Sequence, residues 1–161
     1  MRKLLAEKLY KAMGRDERIF LLTGDLGYGL WDRIRIDYPD RFMNVGSCEQ
    51  LMIGMAAGMA HKGLRPVVYS ITPFAIYRPF EFIRNYIDHE YANVTIIGGG
   101  RGRDYGNLGF SHWAEEDKEV MRVFTNIESH WPDTEEELDI AMHHLFSPNS
   151  SGPNYINVSK Q

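Results

Sequence analysis

The sequence predicts a doubly wound α/β fold, a mainly parallel sheet of about six strands with helices on both faces. Three observations lead there. Short apolar runs alternate with amphipathic stretches of about 10–15 residues from one end of the chain to the other, the pattern of βαβ units. At 161 residues the chain suits one domain that buries roughly 70% of its unfolded surface, enough for a real core. Its composition, 43% hydrophobic and 25% charged, excludes disorder, collagen and coiled coil.

Residues 3–13 set Leu5, Leu9, Ala12 and Met13 at helical spacing, and Gly14 follows as a stop signal. Arg18–Thr23, ended by Gly24, is a buried strand, and Phe42–Val45 is a second, brief one. Glu49–Lys62, rich in Met, Ala and Leu and closed by Gly63, is a mostly buried helix. Gly54 and Gly58 lie four apart on one face of it, where a neighbouring backbone or ligand can approach closely. Pro66–Ile71 is a strand, Tyr77–Tyr91 an amphipathic helix, and Asn93–Gly98 a strand that runs into a glycine-rich loop, Gly99–Gly109. Glu115–Phe124 is a helix and Ile127–Ser129 a weak strand. Thr134–Phe146 is a helix capped by Asp133 or Thr134. After a loop at Ser147–Pro153, Asn154–Val158 is the last strand. No repeat, low-complexity tract or linker interrupts the pattern, so residues 1–161 are expected to be a single domain.

Several function classes are disfavoured at once. Eighteen basic against 22 acidic residues give a net charge of −4, which does not favour nucleic acid. No apolar run reaches the roughly 18 residues of a membrane helix, and the N-terminus lacks a signal peptide's apolar core. One cysteine, Cys48, excludes an internal disulfide framework and suits a reducing compartment, so the expected location is the cytoplasm. Six histidines form no H-E-x-x-H, and His143 and His144 are neighbours on a helix that point different ways, as surface residues do. Neither Gly24–Gly29 nor Gly98–Gly106 has dinucleotide-binding spacing, and there is no P-loop or nucleophile elbow.

In such sheets ligands sit beyond the carboxyl ends of the strands, and four features gather in those loops. They are Thr23-Gly24-Asp25-Leu26, then Asn44 to Gln50 with Glu49 at a helix start, then Thr72 to Arg84 with Phe74, Tyr77, Arg78 and Glu81, and finally Gly106 to His112 followed by Glu116 and Asp117. In this order and register they resemble the pyrimidine-binding domain of thiamine diphosphate-dependent transketolases, most closely the split bacterial form in which this domain belongs to a separate chain. The resemblance runs from the first strand to the terminal Gly152–Val158.

The resemblance implies residue roles. Glu49 would hydrogen-bond the pyrimidine ring nitrogen and, by sharing a proton there, promote the imino tautomer that activates the cofactor. Burial among Met52 and Ile53 would let such a carboxyl keep a proton to share. Read alone, Glu49 is better explained as a helix-start carboxylate favoured by the dipole. Phe74 would pack on the aminopyrimidine face, with Tyr77 lining the same wall. Arg78, Glu81 and Arg84 are expected in structural ion pairs or subunit contacts, with Arg78 able to reach the site. His112 would face the reacting carbon and handle substrate protons, although read alone it is first a loop histidine capping the helix that starts near Ala114. Asp25 would help hold the cofactor at a subunit boundary, or else close an Asx turn. Cys48 reads as a buried spacer.

Two departures qualify the resemblance. Relatives with ordinary sugar-phosphate donors carry G-E-D-G where this chain has Gly106-Asn107-Leu108-Gly109, so a standard pentose-phosphate donor is not implied. Arg101 and Arg103 put positive charge nearby, suited to a phosphate or carboxylate unless the loop is simply solvated. The G-D-G motif that binds magnesium and diphosphate is not in this sequence, and neither is the family's C-terminal domain. The expectation is therefore a subunit of an α2β2 enzyme, with magnesium held by a diphosphate-binding partner subunit (the N-terminal section). It would transfer a two-carbon ketol unit from a sugar or sugar phosphate to an aldehyde. The alternatives are a subunit of a 2-oxo acid decarboxylase or dehydrogenase, and a non-catalytic partner subunit.

Overall fold

A computed structural model of the chain describes residues 1–160. Six strands, β1 (Ile19–Thr23), β2 (Phe42–Asn44), β3 (Arg65–Ile71), β4 (Thr95–Gly99), β5 (Glu128–His130) and β6 (Asn154–Val158), form one sheet in the order β2-β1-β3-β4-β6-β5. Every pairing is parallel. The predicted doubly wound sheet is present, and the order reverses between β1 and β3, which opens a crevice at their carboxyl ends.

Alternation along the strands sends side chains to two cores. Leu21, Val67, Ile97 and Ile156 pack with α1 (Arg2–Met13), α2 (Asp32–Asp37) and α7 (Glu135–Phe146). Their neighbours Leu22, Val68, Ile96 and Tyr155 face α3 (Glu49–His61), α4 (Thr72–Ile76), α5 (Phe80–Phe82) and α6 (Asp117–Met121). The α7 helix opens with a capping box in which the Thr134 hydroxyl accepts from the Glu137 amide at 3.1 Å. Its far end is fixed by buried Arg65, which donates to Leu145 O at 2.8 Å and Ser147 O at 3.2 Å and pairs with Asp16 at 2.9 Å.

The largest departure from the sequence reading lies after β3. The predicted helix at Tyr77–Tyr91 starts earlier, at Thr72, because Pro73 suits a first helical turn, where its missing N–H costs nothing. Pro79 then interrupts the ladder, and α5 runs on into a π-helical turn, Ile83–Asp88. Asp88 at the end of that turn accepts from the amides of Asn126 and Ile127 at 2.8 and 3.1 Å, which seats the approach to β5. The helix expected over Glu115–Phe124 shortens to α6, and the one-and-a-half-turn α2 had no counterpart in the sequence reading. Among the described residues no helix is long and apolar enough to cross a membrane.

Candidate active site

Glu49 is the first residue of α3, yet its side chain turns into the crevice between β1 and β3 and is only 2% exposed. Its Oε1 accepts from the Ser70 hydroxyl at 3.0 Å and its Oε2 from Arg78 Nη1 at 2.8 Å. Gly24, just past β1, leaves room for this: a Cβ there would stand 3.2 Å from Glu49 Oε1 and 3.4 Å from Ser70 Oγ. The carboxylate therefore sits at the topological switch point, on a helix whose next turn buries Met52 and Ile53.

Phe74 rides on α4 directly after β3 and is half-buried. The Arg78 guanidinium carbon lies 3.8 Å from its ring centroid, and the His112 ring meets it edge-on at 4.9 Å and 69°. His112 is half-buried, with Nδ1 3.0 Å from Ser111 Oγ. Glu49, Arg78, Phe74 and His112 thus form one continuous chain of contacts built from three separate loops.

A buried polar network fixes α4 from below. The Thr72 hydroxyl donates to Gly100 O at 2.7 Å and accepts from Asn157 Nδ2 at 3.2 Å. One oxygen of Asp117 accepts from Asn157 Nδ2 at 2.6 Å, Trp131 Nε1 at 2.7 Å and the Tyr155 hydroxyl at 3.0 Å. Burial pushes the Tyr155 hydroxyl well above its ordinary range, so it stays a donor. Sequence reasoning missed Ser70, Thr72 and Asn157 as supports. The available signal for Ser70 and Asn157 was a polar residue inside an otherwise apolar, doubly covered strand, which has to be hydrogen-bonded.

The remaining predicted residues fall around this group. Asp25, exposed and at φ +59°, receives Asn44 Nδ2 at 2.9 Å and the Tyr28 hydroxyl, while its own N–H donates to Asn44 Oδ1 at 2.9 Å. The Tyr28 and Asn44 hydrogen bonds hold its carboxyl below the usual range. It ties the ends of β1 and β2 together rather than joining the Glu49–Arg78–Phe74–His112 chain. Tyr77 is partly covered. Its hydroxyl is pushed up to about 12, first by burial and then by the charges of Glu116 and Asp117.

Two expectations are corrected. Cys48 is exposed rather than buried, because it precedes the first turn of α3 in a non-helical conformation and only Glu49 turns inward. Arg101 is not solvated, and its guanidinium is held by the chain itself. It pairs with Asp133 and donates to the carbonyls of Pro132 and Asn157, both at 2.8 Å. Arg84 bonds Asn85 at 2.9 Å, and Arg78 reaches the site.

Over residues 1–161 the chain matches the family described as "Transketolase, pyrimidine binding domain". It is 31% identical over 151 residues to a 33.6 kDa protein of the fasciation locus of Rhodococcoides fascians, across 93% of this chain and 47% of the relative. It is 34% identical over 126 residues to a subunit of the apulose-4-phosphate transketolase of Actinobacillus succinogenes, across 76% of this chain and 39% of that one. The chain thus spans less than half the length of either relative. Among solved structures it superposes on a split-gene transketolase, described as an inactive β4 tetramer, with a TM-score of 0.84 and 29% identity, covering 99% of this chain and 51% of that one.

Proposed function

The chain belongs to the transketolase pyrimidine-binding domain family, and from that premise we propose that it is the pyrimidine half of a thiamine diphosphate-dependent, transketolase-like transferase. The observation that carries the reading is the buried Glu49 carboxylate joined through Arg78 and Phe74 to His112. These residues fit a flat aminopyrimidine: a nearly dry carboxyl to meet a ring nitrogen, an aromatic ring to stack against, and a histidine at its edge. The cofactor, when bound, supplies the carbon nucleophile that carries a two-carbon ketol unit.

The chain's own residues do the rest. Glu49 exchanges a proton with the pyrimidine nitrogen at its carboxyl oxygen, and Met52 and Ile53 in the next turn of its helix keep water out. Phe74 holds the face of the ring and Tyr77 extends that wall. Arg78, which covers both Glu49 and Phe74, yields those contacts to the cofactor and stays at the rim as a positive group. Asp25 shapes the outer edge of the crevice. Ser111 engages His112 Nδ1, which leaves Nε2 to exchange a proton with a substrate hydroxyl.

The diphosphate and its magnesium fall to a separate diphosphate-binding domain on a partner chain, in an α2β2 assembly within the cytoplasm. The description of the split-gene neighbour as an inactive β4 tetramer supports this division. So does the open groove lined by Ala57, Gly58, His61 and Tyr86 on α3 and the π-helical turn, a surface for that contact. Asn107 and Leu108 favour a sugar or sugar phosphate other than the common pentose phosphates as donor.

The test is an assay of the complex reconstituted with its diphosphate-binding partner. Ketose donors are expected to react and 2-oxo acids not to, and Glu49→Gln is expected to lose about 10²-fold or more in kcat. Turnover of 2-oxo acids in place of ketoses, or an activity-neutral Glu49→Gln, overturns the reading.

A further inference from the structure

Away from the crevice, the outer edge of the sheet brings three metal-ligating side chains together. Glu128 and His130, two residues apart on β5, share one face of that strand, and α7 lays His144 against the same face. His144 Nε2 lies 2.7 Å from Glu128 Oε2 and His130 Nε2 lies 3.5 Å from Glu128 Oε1. One ligand atom from each of the three residues falls within 4.8 Å of the others. The two imidazole rings are tilted at 51° with centroids 5.7 Å apart.

A second observation singles out this cluster. His130 Nε2 is buried and has no hydrogen-bond partner, a state that costs free energy unless something occupies the nitrogen's lone pair or proton. With bonds of about 2.0–2.2 Å, neighbouring ligand atoms of a tetrahedral site stand about 3.3–3.6 Å apart. The 2.7 and 3.5 Å separations, which run to the two different oxygens of Glu128, and the 4.8 Å limit on the three ligand atoms lie close to that spacing, so binding would need a modest rearrangement of these side chains. Two neutral imidazoles and one carboxylate suit zinc and its transition-metal neighbours rather than magnesium or calcium, which prefer oxygen.

We infer that Glu128, His130 and His144 form a three-ligand site for a zinc-class divalent cation, with the fourth position open to water, that clips β5 to α7. The open position follows from exposure: the Glu128 and His144 side chains are half exposed, at 53% and 52%. Mechanically the clip supports a short edge strand. β5 is a three-residue edge strand paired only with β6, and β4 and β6 separate it from β3 and the crevice. The cation would thus hold the edge of the sheet without touching the proposed chemistry, and the inference stands whether or not that chemistry is correct.

Zinc titrated calorimetrically into the chelator-treated full chain is expected to bind at one equivalent and to raise the melting temperature. Loss of a residue that merely orients a metal ligand costs about 10–100-fold in affinity, so His130→Ala and His144→Ala are each expected to lose at least as much. His143→Ala, one position along the helix, is expected to bind as the unaltered chain does. Absence of one-equivalent binding, or binding unchanged in both variants, overturns the site. Should either variant fail to fold, cobalt(II) added to the unaltered chain decides. Intense visible absorption of a four-coordinate ion supports the site, and the weak spectrum of a six-coordinate aquo ion contradicts it.

Discussion

Arg78 donates to the buried Glu49 carboxylate at 2.8 Å although Glu49 opens α3 and Arg78 lies in the turn after α4. The arginine is half exposed and the glutamate almost wholly buried, 47% against 1% by side chain. Removing the arginine would leave Glu49 with Ser70 alone. Arg78→Ala is therefore expected to destabilise the chain by about 1–2 kcal/mol, the cost of an under-partnered buried charge reduced by solvent screening. Urea unfolding of Arg78→Ala, Glu49→Gln and the double variant should give a coupling energy of about 1 kcal/mol. Strictly additive effects would contradict the pairing.

Gly98 lies on β4 beneath α4, where a Cβ would stand 2.7 Å from Thr72 Oγ1 and 2.9 Å from the Tyr155 hydroxyl. Both hydroxyls belong to the network that fixes the Phe74 helix. Gly98→Ala is expected to cost about 1–3 kcal/mol by overpacking and to lower cofactor affinity in the reconstituted complex. Denaturant unfolding and a thiamine diphosphate titration read the two effects separately. Unchanged stability would show that the network tolerates displacement.

Much of this arrangement was legible in the sequence, and the reasons differ by residue. The strand cores could be read because β3 and β4 are covered on both faces, so Val67, Val68, Ile96 and Ile97 are all apolar. Asn154–Val158 matched β6 residue for residue because Gly152 and Pro153 punctuate its start. Glu49, Phe74 and His112 stood out because their loops follow strands. What escaped was set by tertiary contact. The exposure of Cys48 depends on which way the non-helical residue ahead of α3 faces, which apolar spacing does not encode. The role of Arg101 depends on carbonyls at Pro132 and Asn157, remote in sequence. Pro73 and Pro79 outweighed the amphipathic pattern of residues 77–91 and set where the chain turns helical.

Acid stability should depend on Asp16. Its carboxyl is held well below the usual carboxylate range, chiefly by the Arg18 side chain, with Arg65 adding a second charged hydrogen bond. A depressed folded pKa contributes stability above the unfolded value of about 3.9 and loses it as pH falls towards the folded value. Unfolding free energy should therefore decline from about pH 5 downward. Asp16→Asn should be less stable at pH 7 and show a shallower decline. Parallel pH profiles for the two proteins would show that Asp16 plays no part in acid unfolding.

His112 meets the edge of Phe74 at 4.9 Å and is engaged at Nδ1 by Ser111. In the reconstituted complex His112→Asn is expected to lower kcat by about 10²–10⁴-fold, the range for loss of a proton-transfer group. Thiamine diphosphate affinity should change little. A loss confined to cofactor affinity would assign the histidine to packing instead.

Calorimetric titration of thiamine diphosphate, with magnesium present, tests the central claim most directly, because it asks whether the Glu49 crevice is half of a site. Heat of binding is expected only when the chain is combined with its diphosphate-binding partner, and it should be weaker with Glu49→Gln. Tight binding to this chain alone, or binding by the complex that ignores the loss of the Glu49 carboxyl, would contradict it.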